Sequence, residues 1–314
     1  MAPELEPRPP VVDAHQHFWD PRDARYPFLE RPEMEPIRRP YLPDDLRPVL
    51  AENGVDGTVL VNTRPDPGET AAFLETATLV DYVKGVVGWI DLADPLVADA
   101  WALLRARPES AMLVGLRHDL HAEPDPEWLL RPAVRRGLAL VRDGGFALDL
   151  GAGRRELPAC LRTARDFPDL RIVLDHTAEP PAASPDGIDA WAAALEPLAR
   201  EPNVWCKLVA GLALPAGPGR SWDPAGLRPY VERIVERFGE DRVVFGSGWP
   251  VCLLAGSYAQ VRAALEAALG GGLSDAARAK ILGGNAIDVY RLVVSPDPLA
   301  ATPGGGGVHP GVPT

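Results

Sequence analysis

Cysteine is scarce in this 314-residue chain. The three present, Cys160, Cys206 and Cys252, are scattered and form no Cys-x-x-Cys pair. Such a set builds neither a disulfide framework nor a structural zinc site, and it suits a reducing cytoplasm. Cys206 and Cys252 lie in apolar runs and read as packing residues, not catalytic thiols. Apolar stretches of membrane-spanning length are missing as well. The start, MAPELEPRPP, has no basic head and no apolar core, so no secretory signal is expected. Positive charge is outweighed: 32 Lys and Arg face 44 Asp and Glu, a net charge of −12. An acidic surface argues against nucleic acid or anionic membrane as the main partner and leaves a small-molecule substrate, with a homo-oligomer an open option. A glycine-rich nucleotide loop after the first apolar run is also lacking, which disfavours an open doubly wound sheet. The GGG at 270–272 follows a helical pattern and reads as a helix stop.

What is there is a repeat of eight short apolar runs, at 11–18, 57–62, 85–92, 112–119, 146–151, 171–177, 204–211 and 242–249. Each is rich in β-branched or aromatic residues and nearly continuous in hydrophobicity, the pattern of a strand buried on both faces. Most gaps between them carry helical periodicity, as in LVADAWALLRA, LPACLRTARDF and LRPYVERIVERFG. Strands alternating with amphipathic helices predict an α/β fold with a parallel sheet, and eight units in about 250 residues match a closed (β/α)8 TIM barrel. The barrel is expected over 11–294, after an N-terminal extension at 1–10 and before a Pro/Gly-rich, disordered tail at 295–314. Residues 19–45 form a long connection after the first strand, placed to serve as a lid or substrate wall.

The active site of such a barrel forms where its strands end. His15 and His17 stand at i and i+2 of the first strand, so both imidazoles face one side and can grip one divalent metal, zinc or manganese. Asn62 and Arg64 follow strand two, and Arg117 and His118 end strand four. Asp149 ends strand five, Asp175 and His176 end strand six, and Lys207 lies within strand seven. Strand eight offers Ser247, Gly248 and Trp249. Alternation along a strand should turn one residue of each charged–histidine pair inward and the other outward. His176 and His118 are candidates for proton transfer, with Asp175 beside them. Arg64 and Arg117 present planar forks for a carboxylate, and Asn62, Lys207 and Trp249 complete the set of candidate substrate contacts. His121, just past a strand, reads as a surface residue.

The segments VVDAHQHFWDP, GVVGWIDL, GLRH, the Asp175–His176 pair, WCKLVAGL, FGSGWPVC and GGNAIDVYRL, in this order, resemble the amidohydrolase-related family that includes L-fuconolactonase, L-rhamnonolactonase and 2-pyrone-4,6-dicarboxylate lactonase. The resemblance covers residues 11 to about 292. It implies a barrel of the metal-dependent hydrolase type and hydrolysis of a lactone or similar cyclic ester, with a divalent metal in some members and metal-free operation in others. The family pattern at strand eight is G-S-D-W-P, where this chain has Gly246, Ser247, Gly248, Trp249 and Pro250. The usual aspartate deprotonates the attacking water and ligates the metal where one is bound; glycine does neither. Loss of a positioned base costs on the order of 100- to 10,000-fold in rate. The family's D-H-L-G-K-P is here Asp175 to Pro180 with Ala178 and Glu179, which reverses a local charge.

These departures leave three expectations. One is a lactonase in which His176 or Asp175 has become the base. The second is a decarboxylase, lyase, dehydratase, isomerase or cyclase, which needs no activated water. The third is a non-catalytic barrel that binds a small molecule.

Overall fold

The computed structural model describes residues 8–180, 185–209 and 224–294. Eight parallel strands pair in sequence order: β1 Val12–Gln16, β2 Gly57–Val61, β3 Val83–Gly88, β4 Leu113–Asp119, β5 Ala147–Gly151, β6 Arg171–Leu174, β7 Val204–Leu208 and β8 Val243–Phe245. Past the last strand, Gln16 pairs with Trp249, and the backbone N–H groups of Gly248 and His17 donate to His15 and Trp249 at 2.7 and 2.8 Å. The sheet therefore closes on itself, as the eight-run pattern predicts.

Helices follow the strands: α1 Pro43–Glu52, α2 Pro67–Leu79, α3 Val97–Arg105, α4 Pro132–Asp143, α5 Leu157–Asp166, α6 Pro185–Ala199, α7 Arg228–Phe238 and α8 Tyr258–Ala268. Proline stands in the first turn of most of them, where its missing N–H costs nothing. The largest apolar cluster lies between this helical layer and the strands. A smaller one fills the barrel with Val12, Ala14, Val59, Val61, Val87, Val173 and Val244. Two short C-terminal helices, α9 Asp275–Ala279 and α10 Asn285–Tyr290, follow, and α10 adds Ala286, Val289 and Tyr290 to that inner cluster.

Two strands end earlier than the apolar runs suggest. The sixth run continues to Thr177, yet β6 stops at Leu174. From there His176, Thr177, Ala178 and Glu179 all take φ of 50–53°, a left-handed turn without a glycine. The eighth run continues to Trp249, but β8 stops at Phe245 and turns through Gly248 at φ +68°. Both departures bring loop residues, not strand residues, over the barrel mouth. The expected tail at 295–314, most of the 1–10 extension, and Ala210 and Gly211 of the seventh run fall outside the described residues.

Candidate active site

Above the carboxyl ends of the strands lies a cavity of about 620 Å³. His17, Arg117, Asp119, His121, His176, Glu179 and Gly248 line it from the strand ends. Trp19, Phe28, Arg31 and Met34, from the long segment after β1, form the facing wall, as expected of that connection.

The floor is a buried chain of charges. Lys207 Nζ lies 2.5 Å from Asp149 Oδ2 and 2.9 Å from Asp175 Oδ1, and Arg117 Nε donates to Asp175 Oδ2 at 2.7 Å. The Tyr290 hydroxyl reaches Asp149 at 2.8 Å. Two cations thus match two carboxylates from β4, β5, β7 and the turn directly after β6, which is what makes their burial tolerable. Burial pushes the Asp175 carboxyl upward, but Lys207, His15 and Arg117 outweigh it and hold it well below the usual range. Asp149 is raised to about 6 by burial, against the pull of Lys207.

The imidazoles stand above this floor. His15 Nε2 lies 3.1 Å from His17 Nε2, and the His15 and His176 ring centroids are 4.8 Å apart. Burial is the main cause that keeps all three neutral: His15 falls well below its ordinary value, His17 to about 3 and His176 to about 4. His17 Nδ1 donates to Val61 O at 2.8 Å, which leaves its Nε2 as a lone pair. His176 Nδ1 is buried without a hydrogen-bond partner among the described residues.

This donor set fits a divalent ion. Two imidazole nitrogens bound at the usual 2.0–2.1 Å to one tetrahedral zinc would stand about 3.3 Å apart, close to the spacing of the His15–His17 pair. The Nδ1–H bond of His17 to a carbonyl is the support that metal-binding histidines ordinarily have. His15, Asp175 and His176 also place one ligand atom each within 4.8 Å of one another.

The structure sorts the sequence candidates. His17, Arg117 and His176 reach the cavity, and His15, Asp175 and Lys207 lie directly beneath it. His118 does not reach it: its ring stacks on Trp128 at 3.8 Å and its Nε2 lies 2.9 Å from Glu123, on the outer face of β4. Arg117, not His118, takes the inner side. Asn62 turns its amide to Arg64 O, and Arg64 is held by Asp66 and Glu69. Trp249 packs against Phe18 and Tyr41 as a buried anchor. None of these last three is among the residues that line the cavity. Conversely, Asp119, His121 and Glu179 line the cavity. Asp119 was within reach of the argument, since it stands at i+2 from Arg117 on the same strand face. His121 needs the short turn after β4, and Glu179 the left-handed turn after β6, neither of which has a sequence signal.

The amidohydrolase family model matches residues 12–292. The chain belongs to the amidohydrolase family. It is 38% identical over 286 residues to an L-fucono-1,5-lactonase of Burkholderia ambifaria, covering 90% of this chain and 95% of that one. An L-fucono-1,5-lactonase of Burkholderia multivorans is 35% identical over 298 residues, covering 92% and 98%. A crystal structure of an amidohydrolase from Burkholderia multivorans with bound zinc superposes with a TM-score of 0.83 at 34% identity, covering 90% of this chain and all of the other. As in these relatives, the fold is a mixed α/β barrel, and this chain is an amidohydrolase-superfamily enzyme. No described helix is long and apolar enough to cross a membrane.

Proposed function

We propose that this protein is a lactonase that opens a small sugar-type lactone by attack of water on the ring ester. What supports this is its likeness, over nine-tenths of its length, to two proteins named L-fucono-1,5-lactonase, together with a cavity whose groups suit ester hydrolysis without an aspartate on strand eight.

His176 is the base in this reading. Its ring lines the cavity and accepts a proton from the attacking water, and the resulting imidazolium returns it to the ring oxygen as the ester C–O bond breaks. Asp175, next in the chain, favours that imidazolium electrostatically, as its upward pull on His176 indicates. Asp175 itself is too enclosed to be the base, being gripped by Arg117 and Lys207. Arg117 uses one edge of its guanidinium to hold Asp175 and turns the rest toward the cavity, where it stabilises charge on the carbonyl oxygen. Its fixed position costs no reorganisation during reaction. The apolar wall of Trp19, Phe28 and Met34 limits water on the other side. His15 and His17 would hold one zinc or manganese ion, which when bound acts as a Lewis acid toward the ester.

Hydrolysis in heavy-oxygen water tests the reading. One labelled oxygen is expected in the product carboxylate, and His176→Ala should lower kcat by roughly 100- to 10,000-fold. Unlabelled product, or unchanged turnover in that variant, would remove it.

A further inference from the structure

The rim of the cavity has a polar side with an unusual charge. Asp119 caps the short turn after β4, its Oδ1 accepting from the His121 N–H at 3.2 Å. His121 Nε2 lies 3.2 Å from Glu179 Oε1 across the mouth. Two glycines, one ending β5 and one just after it, make room for this arrangement. A Cβ on Gly151 would stand 3.0 Å from Asp119 Oδ1, and one on Gly153 would stand 2.9 Å from Glu179 Oε2 and 3.1 Å from the His121 ring. Glu179 ends the left-handed turn that follows β6, with φ of 51°. The ends of three strands and the turns that follow them therefore converge to place two carboxylates at the cavity.

The cations near the mouth are already committed. Arg117 is paired with Asp175, Lys207 with Asp149 and Asp175, Arg64 with Asp66 and Glu69, and Arg31 on the facing wall lies 3.8 Å from Glu33. Each thus has a carboxylate partner, and the guanidinium edge that Arg117 keeps toward the cavity is the one the ester carbonyl uses in the lactonase reading. The facing wall of Trp19, Phe28 and Met34 is apolar. One side of the cavity is thus rich in hydrogen-bond acceptors, and the other suits the C–H face of a ring.

We propose that Glu179, with Asp119 beside it, determines the specificity of the site: it accepts hydrogen bonds from the hydroxyls of an uncharged polyhydroxy lactone and turns away lactones that bear a carboxylate. The inference rests on the lactonase reading and deepens it. Hydroxyl-to-carboxylate bonds are charge-assisted, whereas a carboxylate on the ligand would bring like charges together beside Glu179 and Asp119.

The test compares kcat/KM for a neutral aldonolactone and for an aldarolactone with the same ring, using the full-length protein and its Glu179→Gln and Glu179→Lys variants. The Glu179 side chain is 62% exposed, so both variants should fold, which circular dichroism checks. The wild type should favour the neutral lactone by about 100-fold, Gln should narrow that ratio, and Lys should shift it by about 10-fold or more toward the anion, chiefly through KM. A ratio indifferent to both substitutions, or a wild type that prefers the anion, overturns this inference and leaves the lactonase reading standing. A wild type that opens neither lactone overturns both.

Discussion

Gly248 lines the cavity at the position where the family resemblance implies a carboxylate, and its backbone is left-handed at φ +68°. Aspartate is among the few side chains that visit this region readily, so Gly248→Asp should fold at a cost of about 1 kcal/mol. The new carboxylate would share the cavity with His17, His176 and Arg117. It should therefore raise kcat by about 10-fold or more on a lactone substrate, because a second positioned base is added to an otherwise complete arrangement. Steady-state kinetics decide the matter: an unchanged or lower kcat in a folded variant would mean that the remaining groups are not poised for water attack. At this scale the sequence was a good guide to residue types and a poor one to direction. It nominated both Arg117 and His118, and only the parity of β4, fixed by Arg117 opposite Asp149, sends one inward and the other onto Trp128. Alternation limits such a pair to two assignments without choosing between them.

The turn after β6 is the element that most affects the site, and it was not legible. Thr177 is β-branched and extends an apolar run, so local preference favours continued strand. Instead four non-glycine residues in succession hold φ near 50°, each at a cost of about 1–2 kcal/mol. The turn persists because its neighbours fix it. The Trp191 indole of α6 donates to Thr177 O at 3.0 Å, and Asp175 is clamped below by Arg117 and Lys207. The strain has a use, since it is this turn that lifts His176 and Glu179 together into the cavity. Ala178 carries a Cβ that the backbone at φ 53° disfavours. Ala178→Gly should accordingly stabilise the protein by about 1 kcal/mol, after the greater entropy of glycine in the unfolded chain is allowed for. Urea unfolding should show a higher midpoint at an unchanged slope. A lower midpoint would indicate that the methyl packs better than the backbone suffers.

Across the whole molecule, the barrel was readable because eight strands buried on both faces leave eight nearly continuous apolar runs, and helices covering them leave a 3.6-residue period between. The charged ties inside it could be named from sequence only one by one, because what joins them is closure. Arg117, Asp149 and Lys207 come from β4, β5 and β7, Asp175 from the turn directly after β6, and Tyr290 from α10 completes the set, so residues up to 173 positions apart form one unit once the strands are side by side. Such a unit contributes less by existing than it costs to break. Lys207→Met leaves two buried carboxylates facing each other without their shared cation and should destabilise the fold by about 3–5 kcal/mol. Asp149→Asn alone should also destabilise, since it leaves the ammonium with one partner. Combining the two removes a charge of each sign and leaves Asp175 paired with Arg117, so the double variant should be more stable than the sum of the single effects predicts, by about 0.5–3 kcal/mol. Denaturant unfolding of the four proteins measures that coupling. Strictly additive losses would mean that the floor of the site is a set of separate pairs, and that His15 and His176 are not held by a common charged support.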